Sequence, residues 1–423
     1  MKILCAPEGF DHSENSADCR INLYGTSSAG VGSIGRKIIR DANRFGIVPT
    51  DRVRDFLSIS LSVVAGDHAV SRRKSPDGWT REIALTIAVL EPDFWETQRV
   101  LLERSFCFLT TDLWQFHFVQ GTRDATQTRL ISGNQERVCL LSGGLDSLVG
   151  AIDATRLGAP PLTVSKVERG DEEHQRTFAA RLGLTSFATN HCVEVPKGEF
   201  STSQRARSIG FLALGILAAS GLSKFRDGGM VELIIPENGF ISLNPPLTSA
   251  RIGSLSTRTT HPLFLHMMQD IIWKAGISVS FCNPYLHKTK GEMLAECQDA
   301  ALLGELAAHS TSCGRFHRHG YVHCGRCIPC LVRRSAFLAA GINDQTAKGY
   351  KYLDLQKRDN AHAWYEDVRA AAMAVIETSK IGFVPRLRAN LPSHILGDVT
   401  LFEQVAMRGL TEVANLLRSY RLC

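Results

Sequence analysis

The order of apolar and polar positions divides this chain into stretches of different period. Near the start, Arg20-Ile21-Asn22-Leu23-Tyr24 has the form of a short strand, and residues 36–45 form a helical pattern behind a Gly/Ser-rich segment. Serine and apolar residues alternate over 56–64, and alternation returns over 81–90. Ser75-Pro76-Asp77-Gly78 between them carries turn residues. This predicts two strands joined by a charged, solvated loop containing Arg72, Arg73 and Lys74, with a nucleic-acid patch as the second reading of those cations. A helix is predicted from Pro92 to about Arg104, and a strand over 114–119. Residues 1–135 thus read as a separate N-terminal α+β domain with no catalytic constellation of its own.

From residue 136 the pattern alternates between short apolar runs and helical periods. Strands are predicted over 138–141, 162–167, 186–194 and 230–235, and helices after Ser147, over 173–182 and over 204–219. Such alternation is the mark of an α/β fold built on a doubly wound parallel sheet, here assigned to residues 136–345. Ligands of these sheets sit outside the carboxyl ends of the strands. That edge holds Ser142 to Ser147, residues 168–173, and Pro236-Glu237-Asn238-Gly239. Residues 238–262 are long, hydroxyl-rich and nearly aperiodic, which predicts a substrate-binding loop. The candidate substrate-binding residues are Glu237 and Asn238 at the strand end, with Arg251, Arg258 and His261 placed to grip an anionic group. Residues 346–423 form a helical C-terminal extension. Its last helix carries Leu401, Val405, Leu410, Val413 and Leu417 in one apolar stripe, for packing onto the core or, as a second reading, for docking a partner.

The most informative stretch is Arg137 to Leu157. An apolar run at 138–141 meets Ser142-Gly143-Gly144, where glycine lets backbone approach a ligand closely, and a helical period follows. Strand, Gly-rich turn and helix N-terminus together make an anion site from backbone N–H groups and the helix dipole. A Walker loop would place Lys-Ser/Thr after its last glycine. Here Leu145-Asp146-Ser147 stands in that place. Gly30-Val31-Gly32-Ser33-Ile34-Gly35 satisfies G-x-G-x-x-G literally, but it follows no adjoining strand and opens no clean βαβ unit. A flexible loop is the better reading there, and a dinucleotide site the lesser one.

Composition narrows the class. At 423 residues the chain has room for two or three domains, and 44% hydrophobic with 21% charged residues is ordinary for a globular protein. A net charge of +6 permits nucleic acid without demanding it. No apolar run is long enough to span a bilayer, and Met1 to Glu8 lacks a signal-peptide core, so a cytoplasmic location without membrane contact is expected. Eight of twelve cysteines are scattered, as reduced thiols are. The others, Cys313, Cys324, Cys327 and Cys330, end in C-x-x-C-x-x-C and offer four thiolates for structural Zn²⁺. An iron–sulfur cluster is the lesser alternative, and His309, His317, His319 and His323 lie near enough to replace one ligand.

Ser142 to Ser147, S-G-G-x-D-S, resembles the PP-loop of the ATP-pyrophosphatase superfamily, also called adenine nucleotide alpha hydrolase-like. The resemblance implies that Ser142, Gly143, Gly144, Leu145, Asp146 and Ser147 hold the pyrophosphate half of ATP. Asp146 would help place Mg²⁺, AMP would be transferred and pyrophosphate would leave. Residues 137–341 further resemble 7-cyano-7-deazaguanine synthase, the QueC family. Arg207-Ser-Ile-Gly-Phe-Leu212 stands where that family has R-N-x-x-F-L, Lys290-Gly-Glu292 where it has K-x-E, and the four cysteines where it binds zinc. The resemblance implies an AMP- and pyrophosphate-forming carbon–nitrogen ligase, with Asp146, Lys290 and Arg207 as its catalytic residues.

Departures accompany the match, among them the long Pro-Pro, Ser/Thr-rich segment after Asn238 in place of the family's compact base-binding loop. The family's tyrosine- and histidine-bearing segment is replaced by Glu168-Arg-Gly-Asp-Glu-Glu-His174, and blocks are added at both ends. In these the chain resembles the QatC group of the Qat anti-phage system and relatives in type IV CBASS. That implies adenylation of a deazaguanine-type carboxylate and its transfer to an amine, with a protein partner from the same operon. A nucleotide-binding scaffold in a defence complex and the plain biosynthetic synthase are the alternatives.

Overall fold

A computed structural model of the chain describes residues 1–11, 17–123, 133–196, 205–245, 247, 258–356, 366–381, 391 and 396–423. Two five-stranded sheets carry the architecture, and every strand pair in both is parallel. The first contains β1 (Lys2–Pro7), β2 (Cys19–Leu23), β3 (Val31–Ile34), β4 (Glu82–Val89) and β5 (Leu113–Gln120), in the order β3-β2-β1-β4-β5. Its helices are α1 (Arg36–Phe45), α2 (Asp51–Ala69) and α3 (Pro92–Thr110). The N-terminal block therefore mixes helices and strands around an all-parallel sheet.

One predicted strand is a helix. Residues 56–64 lie inside α2, whose side chains are buried on nearly every side. A helix enclosed all round has no polar face, so its sequence loses the helical period. Two of its serines are satisfied locally, Ser58 Oγ donating to Arg54 O and Ser62 Oγ to Ser58 O. Arg81 is also buried, and it persists there because Asp67 (2.5 Å) and Asp112 (2.6 Å) both accept from its guanidinium. Asp112 also pairs with Arg72 at 2.7 Å, so the loop expected to be simply solvated is anchored.

The second sheet contains β6 (Arg137–Leu140), β7 (Leu162–Lys166), β8 (Ser186–Thr189), β9 (Val231–Ile234) and β10 (Val279–Cys282), in the order β10-β9-β6-β7-β8. Its helices in chain order are α4 (Leu145–Arg156), α5 (Glu172–Arg181), α6 (Arg207–Ser220), α7 (Ser223–Arg226), α8 (Gly239–Leu243) and α9 (Pro262–Lys274). They continue with α10 (Lys290–Ala295), α11 (Ala300–Leu306) and α12 (Ile328–Ala339). The sheet is doubly wound: Val138 and Leu140 join the core on the α6 face, and Cys139 and Leu141 join the core around α4. Strand order reverses beside β6, so the turn after β6 opens at a topological switch point.

The two sheets share one core, with α2 packed on α6 between them. Gly210 of α6 lies under Val64 of α2, and the Phe45 and Phe187 rings meet edge to face at 5.5 Å. Ser33 of β3 exchanges two 2.8 Å backbone hydrogen bonds with Glu194. At Gly32 a Cβ would fall 2.4 Å from Glu194 O, so the glycine is required for this docking. The literal G-x-G-x-x-G motif is thus largely strand β3 itself, where a flexible loop was the expectation.

The tail adds α13 (Glu366–Ile381) and α14 (Thr400–Ser419). α14 packs on α12 and α8, burying Val405, Leu410, Val413 and Leu417, while Leu401 points outward at 48% exposure. Among the described residues no helix is long and apolar enough to cross a membrane.

Candidate active site

The turn after β6 is built as its residues require. Gly143 has φ +89°, a conformation closed to most side chains, and the α4 N-terminus follows it. Ser142 Oγ accepts from Gly144 N at 3.3 Å and lies 3.1 Å from Ser147 Oγ, which donates to Gly144 O at 2.9 Å. Two neighbours brace the loop from outside. Thr311 N donates to Gly143 O at 2.9 Å, and the Gln175 amide donates to Ser142 O (2.9 Å) and Lys166 O (3.1 Å).

Asp146, in the first turn of α4, is buried but closely partnered. Lys290 Nζ lies 2.6 Å from Oδ1, while Asn238 donates to Oδ2 through its backbone (3.1 Å) and side chain (2.7 Å). Burial pushes the Asp146 carboxyl up, but the Lys290 charge and the surrounding hydrogen bonds outweigh it and hold the group well below the usual range. Glu237 is driven well above its usual range, by burial and then by the Asp146 charge. Asn238 also caps α8, its Oδ1 accepting from Ile241 N at 3.0 Å.

Lys290 is placed by a capping box, Thr289 with Glu292, at the start of α10. The tail secures that box. Glu412 of α14 accepts from Gly291 N at 3.3 Å and from the Thr289 hydroxyl, and Arg408 pairs with Glu292 at 2.6 Å.

A cleft of about 1630 Å³ opens from this turn, and Asp146, Ser147, Lys166, Arg207, Glu237 and Lys290 line it. Arg207 is half-exposed, 3.4 Å from Glu168 Oε2. The far wall comes from the N-terminal block through Arg72, Arg73 and Trp79, with Arg205 stacked 4.4 Å above the Trp79 ring. Two sequence candidates sit elsewhere. His261 is 2% exposed and caps α9, its Nδ1 accepting from Leu263 N at 3.2 Å, and burial drops its pKa to about 3. Arg258 donates to Phe108 O at 3.0 Å and lies over the Phe108 ring. Neither is among the residues lining the cleft, so the expected anion grip becomes structural work at both. Arg251 lies outside the described residues.

The four cysteine sulfurs all lie within 4.8 Å of one another and are buried. Two of the separations are 3.8 Å (Cys313–Cys327) and 3.9 Å (Cys324–Cys330). Zn²⁺ at about 2.3 Å from four tetrahedral sulfurs would set them about 3.8 Å apart. Cys324 N and Cys327 N donate to neighbouring sulfurs at 3.3 and 3.2 Å, as backbone amides do to thiolates. Hydrogen bonds from the other three thiols hold Cys324 below its usual range, while burial raises Cys330. The donor set fits zinc. His323, considered as a ligand, instead accepts from Ser312 N at 3.1 Å.

Lys166, Gln175 and Thr311 were not singled out by the sequence pattern. Lys166 closes a strand whose other residues are all buried, and that strand-end position was its only available signal.

A Ser/Gly turn on a parallel strand at a switch point, with an ion-paired aspartate behind it, fits a doubly wound α/β protein of the PP-loop type. No family model matches the chain. Among curated proteins, 7-cyano-7-deazaguanine synthase of Rhizobium etli is 38% identical over 229 residues, 49% of this chain and 90% of that one. 7-Cyano-7-deazaguanine synthase 1 of Sphingopyxis alaskensis is 29% identical over 49% of this chain and 96% of its own. The Methanocaldococcus jannaschii synthase is 25% identical over 51% and 99%. The chain belongs to the 7-cyano-7-deazaguanine synthase family, and about half of its length lies outside the match.

Proposed function

We propose that this protein activates a 7-deazaguanine-type carboxylate with ATP, releasing pyrophosphate, and passes the acyl group to an amine as AMP leaves. The carrying observation is the Ser142 to Ser147 turn with Asp146 fixed behind it by Lys290 and Asn238. The pyrophosphate end of ATP would meet the turn's N–H groups and the α4 N-terminus. Asp146 and Glu237 would hold Mg²⁺; Glu237 is raised by burial first and then by the Asp146 charge, which a bound cation would offset. Lys290 would neutralise charge on the leaving phosphate, and Arg207 would bind an anionic group across the cleft. The four cysteines would hold structural zinc.

The acceptor is the finer part of the reading. Small-molecule pockets occupy roughly 300–1000 Å³, and the larger cleft here, walled partly by the N-terminal block, supports a bulky amine carried by a partner protein. Residues 1–135 and 346–423 would be the additions that receive it, around a 136–345 catalytic part. A role in anti-phage defence, as in the QatC group, rests on resemblance. The test is ATP–pyrophosphate exchange with 7-carboxy-7-deazaguanine, followed by intact-mass analysis of operon-encoded proteins. Exchange that needs the acid, with a covalent adduct on a partner, is expected. Efficient turnover of free ammonia with the partner unmodified would favour the biosynthetic synthase.

A further inference from the structure

Lys166 ends β7, directly beside the strand that carries the phosphate turn. The Gln175 amide ties the two strand ends together by donating to the Ser142 and Lys166 carbonyls. The Lys166 side chain is 7% exposed and lines the cleft, with Nζ 2.7 Å from Glu168 Oε1. Glu168 in turn takes Arg207 at 3.4 Å. Lys290 already supplies the cation behind the turn, so phosphate binding does not account for a second buried lysine.

Among the described residues, the charged and titratable groups facing Lys166 are few. They are Glu168 on the following loop, Arg207 on α6, His191 after β8, and His68 on α2. Burial lowers the Lys166 pKa to about 8, with Glu168 opposing and Arg207 adding to the fall. Burial, then the Lys166 charge, keeps His191 neutral, at about 3. A lysine in this setting exchanges a proton near neutrality, which an arginine could not do.

On the adenylation reading above, we propose that Lys166 accepts the proton of the attacking amine in the transfer half-reaction, and that Glu168 positions it. The amine lone pair forms the bond to the acyl carbon, and the bond from that carbon to the AMP phosphate oxygen breaks. AMP leaves with the electron pair. The proton released by nitrogen passes to the neutral Lys166 Nζ, which becomes an ammonium beside Glu168. Glu168 and solvent return Lys166 to its starting state.

The experiment separates the two halves of the reaction on the full chain. ATP–pyrophosphate exchange with 7-carboxy-7-deazaguanine reads activation, and a chase of the preformed adenylate with ammonia reads transfer. Lys166→Met should lose transfer about a hundredfold more than it loses exchange, matching the usual contribution of a positioned base. At constant free-ammonia concentration the wild-type transfer rate should rise through about pH 8, and Lys166→Arg, which keeps the charge but holds its proton, should fail to restore it. Melting curves of both variants control for folding. Equal loss of exchange and transfer would make Lys166 a binding residue and overturn the proposal, as would wild-type transfer by Lys166→Met. No exchange in the wild-type protein would sink the adenylation reading, and this proposal with it.

Discussion

The Lys290 ammonium lies 2.6 Å from the Asp146 carboxylate, and both side chains are more than nine-tenths buried. Removing one partner strands the other charge in a poorly solvated place, which typically costs about 3–5 kcal/mol. Lys290→Met should therefore lower the urea midpoint markedly, and Asp146→Asn in the same chain should restore most of it. Exchange activity should be absent in both variants. A double variant no more stable than Lys290→Met would show that the pair is not coupled.

Glu237 gives a stability signature of opposite sign. Its pKa is raised in the fold, so the folded state binds a proton that the unfolded chain releases at lower pH. Stability is lost as pH rises from the ordinary glutamate range towards the folded value. Metal-free Glu237→Gln should thus melt higher than the parent at pH 8 and at the same temperature at pH 4. Asp146 runs the other way, its contribution present above the ordinary carboxylate range and lost on acidification through its depressed pKa.

The four-cysteine segment reaches the turn at 142–147 through the hydrogen bond from Thr311 N to Gly143 O. Cys327→Ser should reduce bound zinc, lower the melting temperature and weaken nucleotide binding together, because metal binding energy here is folding energy. Elemental analysis, calorimetry and ATP titration check the three effects. Unchanged ATP affinity in a zinc-free protein would uncouple the two sites.

Glu412 is far from the turn in sequence yet holds the start of the helix that carries Lys290. Glu412→Ala should slow exchange about ten- to a hundredfold, the scale of a small misplacement of a reacting group. Glu412→Gln, which still accepts from Gly291 N, should recover much of the loss. Full activity in the alanine variant would make the tail dispensable for chemistry.

Much of this was readable from the chain alone. The turn at 142–147, the four cysteines and α1 announce themselves through local rules of turn, ligand and period. Lys290 and Arg207 were found through motif resemblance, and the structure sets both on the cleft. The failures share a cause. α2 is enclosed on all sides, so its period vanished. Gly32 is demanded by a contact with Glu194, far along the chain. His261 looked available because nothing local reveals that α9 needs it as a cap. Each depends on a neighbour that only the tertiary fold supplies.

Residues 1–135 are expected to be inseparable from the rest. Deleting them would uncover the face of α6 that carries Gly210, Leu217 and Gly221, against which Val64 and Ile47 now pack. The fragment 136–423 should aggregate on expression, whereas the full chain should unfold in one calorimetric transition. A soluble, folded fragment would argue for an independent domain.

The layer that α2 and α6 share also ties two surfaces together. Without α2, that side of α6 would need water-compatible side chains or a second subunit against it. The N-terminal block and the second sheet thus share an interior where a chain without α2 would present a surface. With Val64 set over Gly210, a side chain added at one position has to be answered at the other.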